Sequence, residues 1–463
     1  MVVLAISYNI HGRRVSELSP WKRTLPLGVY GAGEGYACKK DGGNNGRMTS
    51  SSTNQTNSKT MHAKRTAEKI RETMLKVCTP LSKVLVLALC SRITVFYAAL
   101  LSNNIFGLRE PYFGEELYNI QIPFFNLFAR WDSCFYMEIA KQGYAIERFW
   151  AFFPLYPLIL RYMSYPFSVF LYMDQALAIA GSILSHVFFT LSVIFFYKLT
   201  YHLYGNSKIS YLSTLFLCFF PSSVFFSAVY TESLFIFLIT ASLYYSELKK
   251  WALSSLLAIL SGFTRSVGFL MFLPLMYKAL HESETEGRKS HVILALLPLL
   301  TYPAFMTYGY LETGNLFIHQ HVEAKYWEVG IKNPIVSFIN IGVYSGLGYQ
   351  MLEAPFIFIS VLSILQFFKN RENMKLLMTL GVIGKGDTDK APYYLYAVPL
   401  LFIYLFFTDL RSFLRCALTL LPVFWYMGEI SSEYETVKNL LIITCSSLLA
   451  IATALFVNWY HFL

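Results

Sequence analysis

Asp132 stands in the run Ala129-Arg130-Trp131-Asp132-Ser133. A carboxylate in such company can take a proton from a hydroxyl nucleophile. The neighbouring Arg130 can hold a phosphate as a charge-assisted pair. The plainer alternative is a solvated Arg–Asp pair, with Trp131 in the aromatic belt of a membrane interface. Glu115 and Glu116 form a second acidic pair, suited to a divalent cation or to shared proton work, or simply to a solvated turn. Glu232, in Tyr230-Thr231-Glu232-Ser233, opens an apolar stretch after a break. There Thr231 or Ser233 would cap a helix and Glu232 would complement its dipole. Arg265, in Thr264-Arg265-Ser266, offers an anion contact or a snorkelling side chain. His319 and His321 are two apart, off a common helix face, so no metal site is expected from them. The glycines of 342–348 lack the following Lys-Ser/Thr of a phosphate loop.

These residues must be positioned by apolar elements. Of 463 residues, 55% are apolar and only 14% charged, against about a quarter charged in an ordinary soluble domain. That excludes a disordered chain, a coiled coil and a soluble single-core enzyme. It predicts an all-α, polytopic membrane protein. Charge-poor stretches mark spans at Val84–Leu101 (interrupted by Arg92), Gln175–Tyr197, Ile209–Thr231, Val292–Leu311 and Asn439–Leu463, with further candidates at 350–368 and 391–408 and a weaker one at 412–427. Residues 209–248 are long for one span and short for two, so they read as paired short helices turning near Pro221–Tyr230. Residues 251–280 read as a second short hairpin with Arg265 near its turn, because an arginine facing lipid is costly. The total is about ten spans on length arithmetic.

Residues 1–80 hold 13 Lys and Arg against 5 Asp and Glu, most of the net +10. That stretch reads as a basic, largely disordered cytosolic tail, since 38–60 is Gly, Ser, Thr and Asn with few apolar residues. A basic tail of this kind carries no expectation of nucleic acid; membrane lipids are the expected surroundings. With the tail cytosolic, the first large loop, 103–173, is expected on the lumenal side, followed by a second lumenal segment at Glu312–Asn333. The seven cysteines form no CxxC pair and no disulfide framework. On the residues alone, a lipid-linked glycosyltransferase and a non-enzymatic transporter with ionisable residues in its path both stand.

Four strings in order narrow this. Arg130-Trp131-Asp132, with Ile139 through Tyr144 and Ala151-Phe152-Phe153-Pro154-Leu155-Tyr156-Pro157, resembles the first lumenal loop of the GPI mannosyltransferase 2 family. Phe220 through Ser233, Thr264-Arg265-Ser266-Val267-Gly268, and Gln320 through Tyr326-Trp327-Glu328-Val329-Gly330 follow in the family's order, over about residues 82–349. The resemblance implies a GT-C fold across 81–463. It implies transfer of the second mannose, in α1,6 linkage, from dolichol-phosphate-mannose to a lipid-linked GPI precursor at the endoplasmic reticulum membrane. Another dolichol-dependent GT-C mannosyltransferase is the neighbouring alternative. Carried over by position, Asp132 is the catalytic base. Arg130 and Arg265 are phosphate contacts, and Trp131, Glu232, Gln320 and Trp327 support substrate binding. No cofactor or metal is required, because a monophosphate leaves, and an accessory subunit is a family-level expectation. The last third is expected to lack a second Arg- and His-bearing motif of the kind such families carry late, with Lys385–Lys390 a short substitute loop.

Overall fold

The computed structural model describes residues 80–106, 125–286, 289–341, 343, 347–369, 390–407 and 410–460, all in the second of the chain's two compact units, Lys69–Leu463. The basic tail, Glu115–Glu116, part of the 342–348 stretch and residues 385–389 lie outside them.

Every regular element among the described residues is helical. The first four are α1 (Pro80–Ile105), α2 (Ser133–Gln142), α3 (Leu155–Ser168) and α4 (Met173–Tyr204). Next come α5 (Ser207–Phe219), α6 (Glu232–Glu247), α7 (Trp251–Gly262) and α8 (Phe272–Glu286). They are followed by α9 (Ser290–Thr313), α10 (Ile318–Trp327), α11 (Pro334–Asn340) and α12 (Leu347–Lys369). The last are α13 (Ala391–Phe406), α14 (Phe413–Ala417), α15 (Leu421–Glu433) and α16 (Glu435–Val457). Five of them (α1, α4, α9, α12 over Gln350–Lys369, and α16) are long and apolar enough to cross a membrane. They coincide with five of the stretches marked in the sequence.

The remaining apolar sequence is cut into shorter helices. The stretch Ile209–Thr231 breaks at Pro221, whose 3-10 turn Pro221–Phe226 separates α5 from α6. Proline supplies no N–H to continue the helix. The expected hairpins do not form as side-by-side pairs. Helix α6 packs on α4 and α7, while α5 packs on α4 and α15; α8 packs on α9 and α13. At the Pro221 break both halves pack on α4, and each adds a different second neighbour, α7 for α6 and α15 for α5. At the α5–α15 crossing Gly428 has no side chain where a Cβ would stand 2.1 Å from Ser213 Oγ.

A break inside an apolar bundle frees backbone carbonyls that lipid cannot satisfy. Arg92, halfway along α1, satisfies them. Its guanidinium donates to the Ser223 carbonyl at 2.8 Å, to Ser227 Oγ at 2.9 Å and to the Cys218 carbonyl at 3.3 Å. It also lies 4.3 Å over the Phe189 ring. The charge that interrupts the first span thus fastens the Pro221 break to the bundle.

Candidate functional site

Trp131, just ahead of Asp132, adopts φ +54°. A bulky residue held left-handed is strained and needs support from its surroundings. Its indole N–H donates to the Phe456 carbonyl at 3.2 Å, and its ring packs 5.2 Å from Trp459. The Asp132 N–H donates to the Tyr230 hydroxyl at 3.0 Å, and the Val229 N–H to the Phe128 carbonyl at 3.0 Å. The loop that carries Asp132 is therefore laid onto the segment leading into α6.

Glu232 begins α6 and is fully buried. Its Oε1 accepts from two guanidinium groups. Arg265 Nη1 stands at 2.6 Å and Arg415 Nε at 2.5 Å. Arg415 Nη1 also reaches Asp132 Oδ2 at 2.6 Å. One arginine thus joins two carboxylates brought from 283 and 183 positions away in the chain. It lies over the Tyr230 and Phe225 rings, at 4.6 and 5.2 Å. A buried charge on this scale is tolerated only when paired and hydrogen-bonded, and each of these four is.

The local structure around the arginines explains their placement. Arg265 is extended between α7 and the 3-10 turn Ser266–Met271. The chain folds back tightly there: a Cβ on Gly268 would meet the Ser261 carbonyl at 2.3 Å, so only glycine fits. Arg415 rides on α14, which has five residues. Glu353 of α12 caps that helix, accepting the Leu414 N–H at 2.9 Å, and Ser222 Oγ donates to the Leu414 carbonyl at 2.7 Å.

The arrangement borders a cavity of about 180 Å³ lined by Asp132, Tyr136, Phe152, Arg265, Glu323, Trp327 and Arg415, among others. Sites for drug-sized ligands run to about 300–1,000 Å³, so this cavity is small by comparison. Burial pushes the Tyr136 phenol up to about 12, keeping it a neutral donor. Glu323 sits on α10, with no hydrogen bond or ion pair to its side chain among the described residues. Burial, reinforced by the Asp132 charge, pushes its carboxyl up to about 7, against the pull of Arg265 and Arg415.

Of the residues singled out in the sequence, Asp132, Arg265 and Trp327 line the cavity, and Glu232 lies behind them holding both arginines. Arg130, Trp131 and Gln320 are not brought to it. Arg130 is buried, donates to Asn126 Oδ1 at 2.9 Å and stacks 5.3 Å from Trp459. Trp131 anchors the loop to the end of α16. Gln320 faces Met306 of α9, 3.9 Å from its sulfur.

Arg415, in the last third, is a site residue that the sequence reading did not single out. Its signal was a lone charge in the apolar run Phe413–Gly428, where charge marks function by default. Glu323 carried a weaker signal, as one acid among the polar residues of 319–328. Among the described residues, no three His, Cys, Asp or Glu gather at metal-holding distance.

Fold and site together define a class: an all-helical membrane protein whose broken helices carry two arginines and two carboxylates to one small cavity. The profile of the family described as Mannosyltransferase (PIG-V) matches residues 77–460, and the chain belongs to that family. The GPI mannosyltransferase 2 of Schizosaccharomyces pombe is 26% identical over 46% of this chain and 49% of its own. The GPI alpha-1,6-mannosyltransferase 2 of Cricetulus griseus is 30% identical over 31% of each. The matches span less than half the length of either relative. An oligosaccharyltransferase from Archaeoglobus fulgidus superposes with a TM-score of 0.38 at 10% identity, over 80% of this chain and 53% of that one, a likeness too loose to bear on function.

Proposed function

We propose that this chain adds the second, α1,6-linked mannose of the GPI core. Dolichol-phosphate-mannose is the donor, a lipid-linked GPI precursor the acceptor, and the lumenal face of the endoplasmic reticulum membrane the place. The observation that carries this reading is the junction of Asp132, Arg415, Glu232 and Arg265 at the cavity. The acceptor hydroxyl attacks C1 of the mannosyl group as the C1–O bond to phosphate breaks, inverting the β-linked donor to the α product. Asp132 takes the hydroxyl proton. Arg415 holds its Oδ2, which leaves Oδ1 for that proton. Arg265 and Arg415 meet the charge that grows on the departing dolichyl phosphate. Glu232 holds both guanidinium groups in place before substrate arrives, so little reorganisation is needed during the reaction.

Complementation of a cell lacking the second GPI mannose, scored by its lipid-linked intermediates, tests the reading. Accumulation of the single-mannose intermediate despite good expression would end it. A glycosylation tag near Glu115 should be modified; modification of native Asn54 instead would put Asp132 on the wrong side.

A further inference from the structure

Two carboxylates line the cavity, and they are held differently. Asp132 is engaged by Arg415. No hydrogen bond or ion pair engages the Glu323 side chain among the described residues, although the cavity brings it near several charged and titratable groups. Asp132 and Tyr136 come from the first loop and α2, Arg265 from the break after α7, Arg415 and Cys416 from α14. Tyr302 of α9 lies within its field. On its own helix Trp327 follows one turn later, at i+4, on the same face, and also lines the cavity. The indole is fixed by edge contacts to Phe135 and Phe152, at 5.8 and 5.5 Å.

A second apolar cluster, separate from the main core, holds this helix. Trp150, Phe153, Phe305, Ile318 and Val322 form it. His319 Nδ1 donates to the Trp150 carbonyl at 2.9 Å, and Tyr326 and Lys325 donate to Glu147 at 2.9 and 2.8 Å. Glu323 and Trp327 are therefore presented by a braced element, and Trp327 itself packs against the same cluster.

A carboxylate that would repel a phosphate cannot serve the leaving group, which the two arginines already suit. A carboxylate and an aromatic face one turn apart match a neutral polyol: hydroxyls donate to the acid while C–H faces pack on the ring. We propose that Glu323 and Trp327 form the acceptor-sugar subsite, in which ionised Glu323 accepts hydrogen bonds from the terminal hexose of the acceptor and holds its hydroxyl toward Asp132. This rests on the mannosyl-transfer reading above and adds to it the residue that positions the acceptor. Because the Glu323 carboxyl ionises near 7, acceptor binding strengthens as pH rises through that value. Protonation below it removes the accepting charge.

The test uses the full-length protein in detergent, dolichol-phosphate-mannose, and a synthetic lipid-linked acceptor ending in one mannose. Hydrogen bonds to charged groups contribute about 1.5–3 kcal/mol. Glu323→Gln should therefore raise the acceptor KM about 10–100-fold with kcat little changed, and should erase the pH dependence of that KM between pH 6 and 8. Glu323→Asp should fall between and keep the pH dependence. Acceptor binding, read by quenching of tryptophan fluorescence, measures the same loss without turnover. Equal binding by wild type and Glu323→Gln overturns the subsite. A collapse of kcat at unchanged KM overturns it too, making Glu323 a base. A wild-type chain that binds acceptor more tightly than Glu323→Gln but forms no product overturns the transfer reading and leaves the subsite standing.

Discussion

The two parts of the cavity lining are built by opposite means. Asp132, Arg265 and Arg415 come from three distant stretches of chain and meet over Glu232, inside the main core and beside the Pro221 break. Glu323 and Trp327 come from one helix of ten residues, fastened by its own small apolar cluster and by exposed polar contacts to Glu147. The first part is ionic, buried and dependent on the whole fold. The second is local, aromatic and nearer the surface. The difference fits the proposed division of chemistry. Stabilising a leaving phosphate demands charges fixed before the reaction, whereas accepting sugars of a lipid-linked glycan demands an element that can be reached from outside.

Asp132→Asn should produce the largest loss. Removing a general base lowers rates about 10²–10⁴-fold, and the amide keeps the shape and a partner for Arg415. Mannose transfer in membranes carrying equal amounts of protein measures it. If Asp132 were only a structural partner of Arg415, near-normal transfer would be seen. Glu232→Gln strikes the same part of the lining from behind. It leaves two buried guanidinium groups short of a counter-charge, and breaking a buried pair costs about 3–5 kcal/mol. The expected outcome is a lowered thermal midpoint in detergent along with lost transfer; unchanged stability would mean that the arginines find other partners.

Arg415→Lys keeps the charge and loses the fork that spans Asp132 and Glu232. At about 1.5–3 kcal/mol for one charged hydrogen bond, transfer should fall about 10–100-fold. Arg130→Lys, outside the cavity, should affect stability through Asn126 and Trp459 while sparing kcat. A reversal of that order would move the phosphate contact to Arg130. The smallest effect belongs to the α10 part. Glu147→Gln weakens an exposed tether of α10 and should shift the acceptor KM by no more than about fivefold, with kcat unchanged. A larger change would show that the α10 tether matters as much as the apolar cluster beneath it.

Much of the fold was legible because its signals are local. A bilayer sets the length of an apolar run, so α1, α4, α9, α12 and α16 announce themselves residue by residue. The breaks were legible too, as Pro221 and Thr264-Arg265 stop a helix through their own chemistry. What the halves pack against was not legible, because neither half of a broken span carries a periodic signal strong enough to choose a neighbour.

The site divides the same way. Asp132, Glu232 and Arg265 were found because charge in apolar surroundings is conspicuous, and because their strings resemble a known family. The sequence by itself determined that the chain is helical, that it suits a membrane, and that a few charged residues sit at its breaks. Only the tertiary structure decided that Arg415, from a five-residue helix near the C-terminal end, is the group that joins Asp132 to Glu232. It also turned Arg130 away and set Glu323 on the cavity wall. The physical reason is that an ion pair is specified by distance in space. A separation of 283 residues leaves no trace of such a distance in a linear pattern, until burial forces each charge to find its partner.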